Sequence, residues 1–497
     1  MDTDTSKWLK LRSGSDIRGY EDRLSDEICE RIGYAFACML AERLKTTPDK
    51  LVIAVGRDAR DSGRRIKAAV IRGITAADSD VLDCGQCTIP ALFMLVARHM
   101  PAPADAGPDA KTQHADGAIM VTASDAPASQ NGLKFLTAAG GLQEADVALI
   151  LRMASACEVP ERLVSKLNPM VAYREFLLET AARLLEDDAL KPLLGLYVVV
   201  DASSTGGAFF ANLLEDLGAD IERLPNEEGE TDLSRAVPDY GADMGVSFDV
   251  DCSRVYIYDQ TGRDVSGNRL IALIAAILLE KQPGLTFVTD SVTSTGLSAF
   301  IAEWGGIHYR FKRGYRSVIN EAVRLNGEGI DCPLAIETTG HAAFRENDYL
   351  DDGIYMALRV ICEALDRKRE GQTVFSLIDD LAEPVESQTL RMRILDEEDP
   401  AASCQEVVEV ILSHTLEDPE WRMAPDSREG VRITFNLDGG VNNAWFQLRM
   451  SVHDPIMVLN AESDVPGGVK RVLGELYALI KDTRLLDLAP LRRAIDN

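Results

Sequence analysis

The sequence predicts an α/β protein made of three related units followed by a C-terminal α+β domain. Three observations support this fold class. A strand–turn–helix plan recurs three times, the pattern changes to alternating strands near residue 384, and 497 residues are too many for one hydrophobic core. With 46% hydrophobic and 27% charged residues, the composition is that of an ordinary globular protein.

The recurring plan starts with a β-branched apolar strand that ends at an aspartate. The three copies, LVIAVGRD, LYVVVD and LTFVTD, end at Asp58, Asp201 and Asp290, and a turn rich in Ser, Thr or Gly and then a helix follow each one. A second strand (VLDCG, IERLP, IHYRFKRG) and a third (GAIMVTAS, DMGVSFDVD, PLAIETTGH) come later in each copy. Since ligands bind outside the carboxyl ends of strands in open α/β sheets, three copies can direct three loops toward one cleft.

The segment from about residue 384 has a different pattern. TLRMRILDE, GVRITFNLDGG and WFQLRMSVHDPIMVLNAES alternate like half-exposed antiparallel strands, and PGGVKRVLGELYALIKDT is typical of a helix. We therefore expect a separate α+β domain.

The charge balance limits the possible partners. With 52 Lys+Arg against 80 Asp+Glu, the net charge is −28, which repels nucleic acid and anionic membranes, and we exclude both as partners. An anionic substrate then requires a local cluster of basic side chains.

The cysteines and the apolar runs predict a cytoplasmic location. Nine cysteines, an odd number spread through the chain, argue against a disulfide framework. Cys84 and Cys87 form a single CxxC, for which buried or incidental thiols are favoured over a redox pair. The N-terminus resembles no signal peptide, and the longest apolar run, LIALIAAILL at 270–279, is too short to span a bilayer.

Two of the third-strand loops carry candidate chemistry for phosphoryl transfer. Ser124 ends a strand, and a serine is a poor nucleophile unless a base, a metal or a modification changes it; a phosphoserine would suit the cation Lys134. In FDVDCSR, the alternating Asp249 and Asp251 suit a hard divalent cation such as Mg²⁺, with Arg254 closing the run. The plainer alternatives are a strand end with a turn and a solvated acidic turn.

Further candidates lie on later segments. Glu337, Thr339 and His341 in AIETTGHAAF have side chains for sugar hydroxyls and proton transfer, although a single histidine is more often structural. In LRMSVHDP, an arginine, a serine and a histidine at alternate positions can encircle a phosphate as a loop, or form an ordinary edge strand. SGSDIRGY is expected to be a flexible loop that carries Arg18.

Six segments, in order and over nearly the whole chain, resemble motifs of the α-D-phosphohexomutases, the phosphoglucomutase and phosphomannomutase family. SGSDIRG resembles the opening Arg-Gly loop, AVGRDARDSG the first strand and turn, and VTASDAPASQNGLKF the phosphoserine loop. FDVDCSR resembles the metal loop, FKRGY and IETTGH the sugar-recognition segments, and RMSVHDP the phosphate-binding loop.

The resemblance implies four domains around a central cleft. They would span residues 1–165, 166–265, 266–383 and 384–497, carrying the phosphoserine loop, the metal loop, the sugar-binding loop and the phosphate-binding loop respectively. The implied reaction interconverts hexose 1-phosphate and hexose 6-phosphate, of glucose or mannose, through a phosphoserine and a bisphosphate intermediate. Mg²⁺ and a hexose bisphosphate are the implied cofactors, and a monomer or homodimer is expected.

The resemblance also implies roles for individual residues. The catalytic residues would be Ser124, Arg18, Lys134 and Arg254. The Mg²⁺ ligands would be Ser124, Asp249, Asp251 and Ser253. Lys312, Glu337, Thr339 and His341 would hold the sugar, and Arg449, Ser451 and His453 the non-reacting phosphate.

Two positions depart from the family pattern. Asp125 stands where the family usually has histidine, and Ser253 where it usually has a third metal-binding aspartate. At ~4 Å and an effective dielectric of about 20, a carboxylate beside a phosphoserine costs on the order of 4 kcal/mol for each like-charge pair. We expect Asp125 to supply the metal ligand that Ser253 lacks. The alternatives are a catalytically weakened sugar-phosphate-binding or regulatory homologue and a metal-assisted sugar phosphatase.

Overall fold

The structure of the chain is a computed structural model. It describes residues 3–98, 114–159, 165–166, 168–186, 191–225, 229, 231–396, 399–451 and 454–496. The chain divides into two compact units. The first comprises residues 1–265, 340–343 and 350–374, and the second comprises residues 266–339, 344–349 and 375–497.

The first sheet has eight strands and a mixed topology. Its strands are β1 (Arg12–Ser13), β2 (Asp16–Tyr20), β3 (Val52–Arg57), β4 (Asp80–Gln86), β5 (Gly117–Val121), β6 (Gln130–Thr137), β7 (Gly140–Gly141) and β8 (Ser165–Lys166). The order is β1-β2-β6-β5-β3-β4-β8, with β7 paired to β6. The accompanying helices are α1 (Thr3–Leu9), α2 (Asp26–Leu44), α3 (Gly63–Ala76), α4 (Ile89–Ala97) and α5 (Glu144–Ala156).

The second sheet has four strands. They are β9 (Tyr197–Asp201), β10 (Asp220–Leu224), β11 (Met244–Phe248) and β12 (Val255–Asp259), in the order β10-β9-β11-β12. Three helices accompany them: α6 (Met170–Leu185), α7 (Thr205–Asp216) and α8 (Leu233–Tyr240).

The third sheet contains three parallel strands in the order β14-β13-β15. Its strands are β13 (Thr286–Thr289), β14 (Ile307–Arg310), β15 (Leu334–Ile336) and β16 (Ala342–Phe344). The helices of this segment are α9 (Asn268–Lys281), α10 (Thr295–Glu303), α11 (Tyr315–Gly327) and α12 (Gly353–Arg369).

The same strand order recurs in all three sheets. In each, the strand that ends near the repeated aspartate is flanked by the second and third strands of its copy, as β4-β3-β5, β10-β9-β11 and β14-β13-β15. All six of these pairings are parallel. The prediction of three related α/β units is confirmed by this common topology.

The C-terminal segment forms an antiparallel sheet with helices. Its strands are β17 (Glu386–Arg393), β18 (Arg422–Met423), β19 (Val431–Phe435), β20 (Ala444–Met450) and β21 (Ile456–Ser463), in the order β17-β21-β20-β19-β18. Its helices are α13 (Pro400–Glu417), α14 (Gly468–Ile480) and α15 (Ala489–Asp496). Only β17 alternates as expected, because the central strand β20 is buried along nearly its whole length.

Buried charges connect the third sheet to the C-terminal sheet within the second unit. Arg310, the last residue of β14, forms an ion pair with Asp426. Arg432 of β19 donates a hydrogen bond across to the carbonyl oxygen of Ser291 at 3.0 Å; within its own sheet, its guanidinium lies 3.6 Å from the ring centroid of Trp445. Since an unpaired buried charge is strongly destabilising, these pairings hold the two sheets in a fixed relation.

One expectation about local structure is wrong. Arg18 lies in strand β2, opposite Gly132 of β6, and not in a flexible loop. Helix α12, in the segment 266–383, groups with the first unit, where Tyr173 of α6 donates a hydrogen bond to Asp352 at 2.7 Å. The four domain boundaries and the arrangement around a cleft remain predictions.

The nine cysteines are all free, as expected. Burial raises the pKa of Cys87 to about 12 and also raises the pKa of Cys84, so both thiols are poor nucleophiles near neutral pH. Among the described residues, no helix combines the length and apolar character needed to cross a bilayer.

Helices α2 and α3 pack closely because glycines lie at their contact. A Cβ at Gly73 would lie 1.9 Å from the carbonyl oxygen of Glu30, and a Cβ at Gly33 would lie 2.3 Å from that of Val70. Neither helix can accept a side chain there without moving apart. This contact supports sheet 1, which positions the serine loop.

Gly73→Ala is expected to lower the free energy of unfolding by about 1–3 kcal/mol, because the added methyl group forces the two backbones apart. Thermal or urea unfolding of the purified protein measures this. Gly474→Ala in α14 is the matched control: its Cβ meets no atom within 4 Å, and the variant should be neutral or slightly more stable. Equal destabilisation of the two variants would contradict the close-packing explanation.

Candidate active site

Ser124 lies just beyond the carboxyl end of β5 in a strained conformation. Its φ of 51° is in the left-handed region, which non-glycine residues adopt only where the surroundings impose it. The side chain is buried, and Oγ donates a hydrogen bond to Oδ2 of Asp251 at 2.8 Å. The Ser124 amide donates to Oγ1 of Thr122 at 3.0 Å, and Thr122 in turn donates to Asp58 at 2.7 Å. The serine is thus fixed at both its backbone and its hydroxyl.

Arg60 fastens the loop that carries this serine. Its guanidinium donates to four carbonyl oxygens of the loop: Ser124 at 2.6 Å, Ala126 at 2.7 Å, Pro127 at 2.9 Å and Gln130 at 3.1 Å. Nε also pairs with Asp58 at 3.2 Å. A planar fork with five donors suits this many acceptors, whereas a lysine ammonium does not.

The acidic loop after β11 brings two buried carboxylates and a hydroxyl together. Ser253 Oγ donates to Asp251 Oδ1 at 2.7 Å and lies 3.3 Å from Asp249 Oδ2. Burial, followed by the nearby Asp251 charge, raises the pKa of Asp249. Burial opposes the charge of Asp251 too, but the Lys134 ammonium and the Ser253 and Ser124 hydroxyls outweigh it and lower that pKa. Asp251 is therefore the carboxylate that stays ionised.

Lys134 of β6 completes the contacts of Asp251. Its Nζ lies 3.2 Å from the same Oδ2 atom that accepts the Ser124 hydroxyl. One carboxylate oxygen thus joins the serine of the first sheet to a cation, while the other accepts from the loop of the second sheet.

The donor set of these loops fits a hard divalent cation. Oxygens of Ser124, Asp249, Asp251 and Ser253 lie within one hydrogen-bonded group, and oxygen ligands are those that Mg²⁺ prefers. This donor set is only weakly anionic. The described part of the chain contains no cluster of three His, Cys, Asp or Glu side chains placed to hold a metal. Two carboxylates are present where the family pattern has three.

Asp125 does not supply the missing carboxylate; it faces arginines. Arg254 Nη1 donates to Asp125 Oδ2 at 2.8 Å, and Arg18 Nη1 lies 3.8 Å from Oδ1. Partial burial opposes the charge of Asp125, but Arg254 outweighs it and lowers that pKa. The physical reason for the departure from expectation is charge: a third carboxylate is attracted by two guanidinium groups and repelled by the carboxylates of the acidic loop.

His341 also contacts Arg254 in the first unit. Arg254 Nε donates to His341 Nε2 at 2.9 Å, and His341 Nδ1 lies 2.8 Å from Asp351. Because Nε2 accepts, Nδ1 must carry the proton and donate to Asp351. Both ring nitrogens therefore have protein partners.

The second unit contains most of the expected sugar-binding residues. Glu337 is buried and accepts a hydrogen bond from the Gly314 amide at 2.6 Å, and Thr339 Oγ1 donates to its other oxygen at 3.2 Å. Lys312 is exposed two residues before Gly314. The structure thus brings the FKRGY and IETTGH segments together.

Arg449 lies at the end of β20 and pairs with a carboxylate that the sequence did not indicate. Its Nε is 3.8 Å from Glu429, which also accepts hydrogen bonds from Ser291 Oγ and, at 3.1 Å, from the Arg313 amide. Nε is buried and makes no hydrogen bond within the described part of the chain, and burial lowers the pKa of Arg449. Such a donor is suited to an anionic ligand. Ser451 follows β20, and His453 lies outside the described residues.

Arg60 and Glu429 are the site-supporting residues that motif reading missed. Arg60 belongs to the ARDSG turn after the first repeated strand, and Glu429 precedes the strand GVRITF. The available signal was a charged residue in a turn beside a candidate loop. The contacts themselves join distant positions: Arg60 and Ser124 are 64 residues apart, and Glu429 and Ser291 are 138 residues apart. Sequence spacing alone gives no access to such contacts.

Comparison with known proteins agrees with this fold. Residues 10–155 match the family model of phosphoglucomutase/phosphomannomutase alpha/beta/alpha domain I, and residues 266–385 match that of domain III. Together the two matches cover more than half of the chain.

Relatives and solved structures match over almost the full length. The chain is 26% identical over 486 residues to a phosphomannomutase/phosphoglucomutase of Pseudomonas syringae, covering 94% of each chain. A phosphoglucomutase/phosphomannomutase family protein from Burkholderia thailandensis has the same fold, with a TM-score of 0.75, 21% identity and coverage of 97% and 98% of the two chains. The fold is also similar to that of an Aspergillus fumigatus N-acetylphosphoglucosamine mutase solved with GlcNAc-6P and magnesium, with a TM-score of 0.58, 12% identity and coverage of 97% and 99%.

The fold, the serine loop and these relatives define an isomerase, an intramolecular phosphotransferase. The chain belongs to the phosphoglucomutase/phosphomannomutase family.

Arg60→Ala is expected to loosen the serine loop, because the variant loses four hydrogen bonds to the loop at about 1 kcal/mol each, on the order of 4 kcal/mol in all. The amides of Ser124, Ala126 and Gln130 should then exchange with deuterium up to roughly a thousandfold faster. Hydrogen-exchange mass spectrometry measures the change. Arg64→Ala, an exposed arginine of α3, is the control, and unchanged exchange in Arg60→Ala would refute the fastening role.

Proposed function

We propose that this protein interconverts hexose 1-phosphate and hexose 6-phosphate, of glucose, mannose or both, through a phosphorylated Ser124. One observation carries the proposal: Ser124 Oγ and Lys134 Nζ share the same carboxylate oxygen of Asp251. A serine held in this way can give up a phosphoryl group and later take one back, because a charged hydrogen-bond donor, Lys134, lies within the same hydrogen-bonded group.

Each half of the reaction exchanges one phosphorus–oxygen bond for another. The bond from phosphorus to Ser124 Oγ breaks as a bond to a sugar hydroxyl oxygen forms. The sugar hydroxyl loses its proton, and Ser124 Oγ gains one. Lys134, whose Nζ lies 3.2 Å from Asp251 Oδ2, supports the protonation of the serine oxygen, and Arg18 stabilises charge on the transferring group.

The resulting bisphosphate then reorients, and its other phosphoryl group returns to Ser124. Bound Mg²⁺, held by oxygens of Ser124, Asp249, Asp251 and Ser253, would offset negative charge on the transferring group. Arg254 provides a second cation beside the serine loop.

The resemblance assigns other residues to the non-reacting part of the substrate. Glu337 and Thr339 present oxygen atoms to sugar hydroxyls, and Lys312 adds a cation. Arg449 and Ser451 are assigned to the distal phosphate; in support, the buried Nε of Arg449 makes no hydrogen bond among the described residues and has only the Glu429 carboxylate, at 3.8 Å, as an ion-pair partner. His341, with both nitrogens engaged, acts on the substrate through Arg254.

A second candidate has one observation in its favour. Ser253 leaves the metal loop with two carboxylates, which favours a weakened sugar-phosphate-binding homologue. Binding of glucose 6-phosphate with neither turnover nor phosphate on Ser124 would establish it. Release of free phosphate would instead indicate a metal-assisted phosphatase.

The decisive experiment is a coupled assay that converts glucose 1-phosphate to glucose 6-phosphate, with mannose 1-phosphate in parallel, in the presence of Mg²⁺ and glucose 1,6-bisphosphate. Ser124→Ala should reduce turnover by at least about 10³-fold, because the acceptor oxygen is lost. Mass measurement should find a phosphate on the wild type and none on the variant. Ser129→Ala, on the exposed part of the same loop, should behave as wild type. Absence of wild-type turnover would overturn the proposal.

Ser253→Asp is expected to act in opposite directions on metal affinity and on stability. Without Mg²⁺, a third buried carboxylate beside Asp249 and Asp251 should lower the free energy of unfolding by about 2 kcal/mol. With Mg²⁺, the added anionic ligand should increase affinity on the order of tenfold. Calorimetric titration and thermal unfolding measure the two effects. The exposed Ser203→Asp controls for net charge, and unchanged Mg²⁺ affinity in Ser253→Asp would contradict the assignment of the metal loop.

A further inference from the structure

The carboxylate of Asp125 bridges two arginines that come from different sheets. Arg18 lies in β2 of the first sheet, and Arg254 lies in the loop before β12 of the second. Asp125 Oδ2 accepts from Arg254 at 2.8 Å, and Oδ1 lies 3.8 Å from Arg18. The bridging carboxylate immediately follows the serine expected to carry a phosphoryl group.

Both arginines have features of an anion site. Arg18 Nε is buried and makes no hydrogen bond among the described residues, so it keeps a donor available. A chain of hydrogen bonds fixes the orientation of Arg254: its Nε donates to His341, and His341 donates to Asp351. This leaves its Nη1 directed at Asp125. Paired guanidinium groups bind a phosphoryl group more strongly than a single carboxylate, since phosphate offers more charge and more acceptor oxygens.

The bridge is also easy to open. The Asp125 side chain is 54% exposed, and exposed ion pairs are weak. When this carboxylate turns into solvent, the mostly buried Arg254 keeps its hydrogen bond to His341 and the Asp249 carboxylate at 3.9 Å, and Arg18 keeps the Asp16 carboxylate at 3.2 Å.

We propose that Asp125 is an internal competitor for phosphoryl groups at the pair formed by Arg18 and Arg254. In the unphosphorylated protein it occupies this pair, and a phosphoryl group on Ser124 or on a substrate displaces it. The nature of the displacing group rests on the proposed function, but the anion site itself does not. Asp125 is thus a regulatory contact. It lowers the affinity of the Arg18–Arg254 pair for phosphorylated ligands as long as Ser124 is unphosphorylated.

The test measures binding of inorganic phosphate to phosphatase-treated protein, shown by mass to be unphosphorylated. Asp125→Asn should bind phosphate roughly threefold to tenfold more tightly than wild type in calorimetric titration, because the competing carboxylate is gone. Asp125→Ser is measured alongside. Asp61→Asn, an exposed aspartate after β3, changes the net charge equally and should alter affinity less than about twofold.

A double-mutant cycle separates competition from general repulsion. If Asp125 acts by occupying Arg254, the gain from Asp125→Asn should largely disappear in an Arg254→Gln background. An equal gain in both backgrounds, or no gain in either Asp125 variant, would overturn the proposal.

The outcome is independent of turnover. Tighter phosphate binding by Asp125→Asn in a protein without mutase activity would support the internal competitor and refute the proposed function. Mutase activity of the wild type, together with an unchanged phosphate affinity in Asp125→Asn, would support the proposed function and refute the internal competitor.

Discussion

The candidate site depends on the carboxylate of Asp251. It accepts hydrogen bonds from the hydroxyls of Ser124 and Ser253 and forms an ion pair with the ammonium group of Lys134. It thereby joins the serine loop of the first sheet to the acidic loop of the second. A buried anion is tolerated only where several donors surround it. The position of the serine, the orientation of the lysine and the ionised state of the carboxylate therefore depend on each other. The strained backbone of Ser124 is stable for the same reason.

Much of the fold could be predicted from the sequence because the repeated signals are local. A β-branched run that ends at Asp58, Asp201 or Asp290 determines a buried strand and the turn after it, and the structure has one at each place. The motif residues near strand ends could be found for the same reason. Arg18 was expected in a loop because the glycines around it are typical of one, yet pairing with β6 makes it part of a strand.

The contacts between loops could not be predicted in this way. A count of charges predicts that Asp125 compensates for Ser253 at the metal loop, but the Asp125 carboxylate contacts Arg254 and Arg18 instead. Likewise, His341 has the chemistry of a sugar ligand or proton carrier, but its two nitrogens contact Arg254 and Asp351. Residue type limits what a side chain can do, while tertiary structure decides which partner it meets.

The charges buried between the third sheet and the C-terminal sheet have a consequence for how this protein can be divided. Arg432 is buried against Ser291 and Trp445, and Arg310 against Asp426. A fragment that begins at residue 384 would keep Trp445 but would separate Arg432 from Ser291 and Asp426 from Arg310. The last segment has its own sheet and core, yet it is not a transferable module. Fragments for expression, or chimaeras with relatives, should exchange both sheets together.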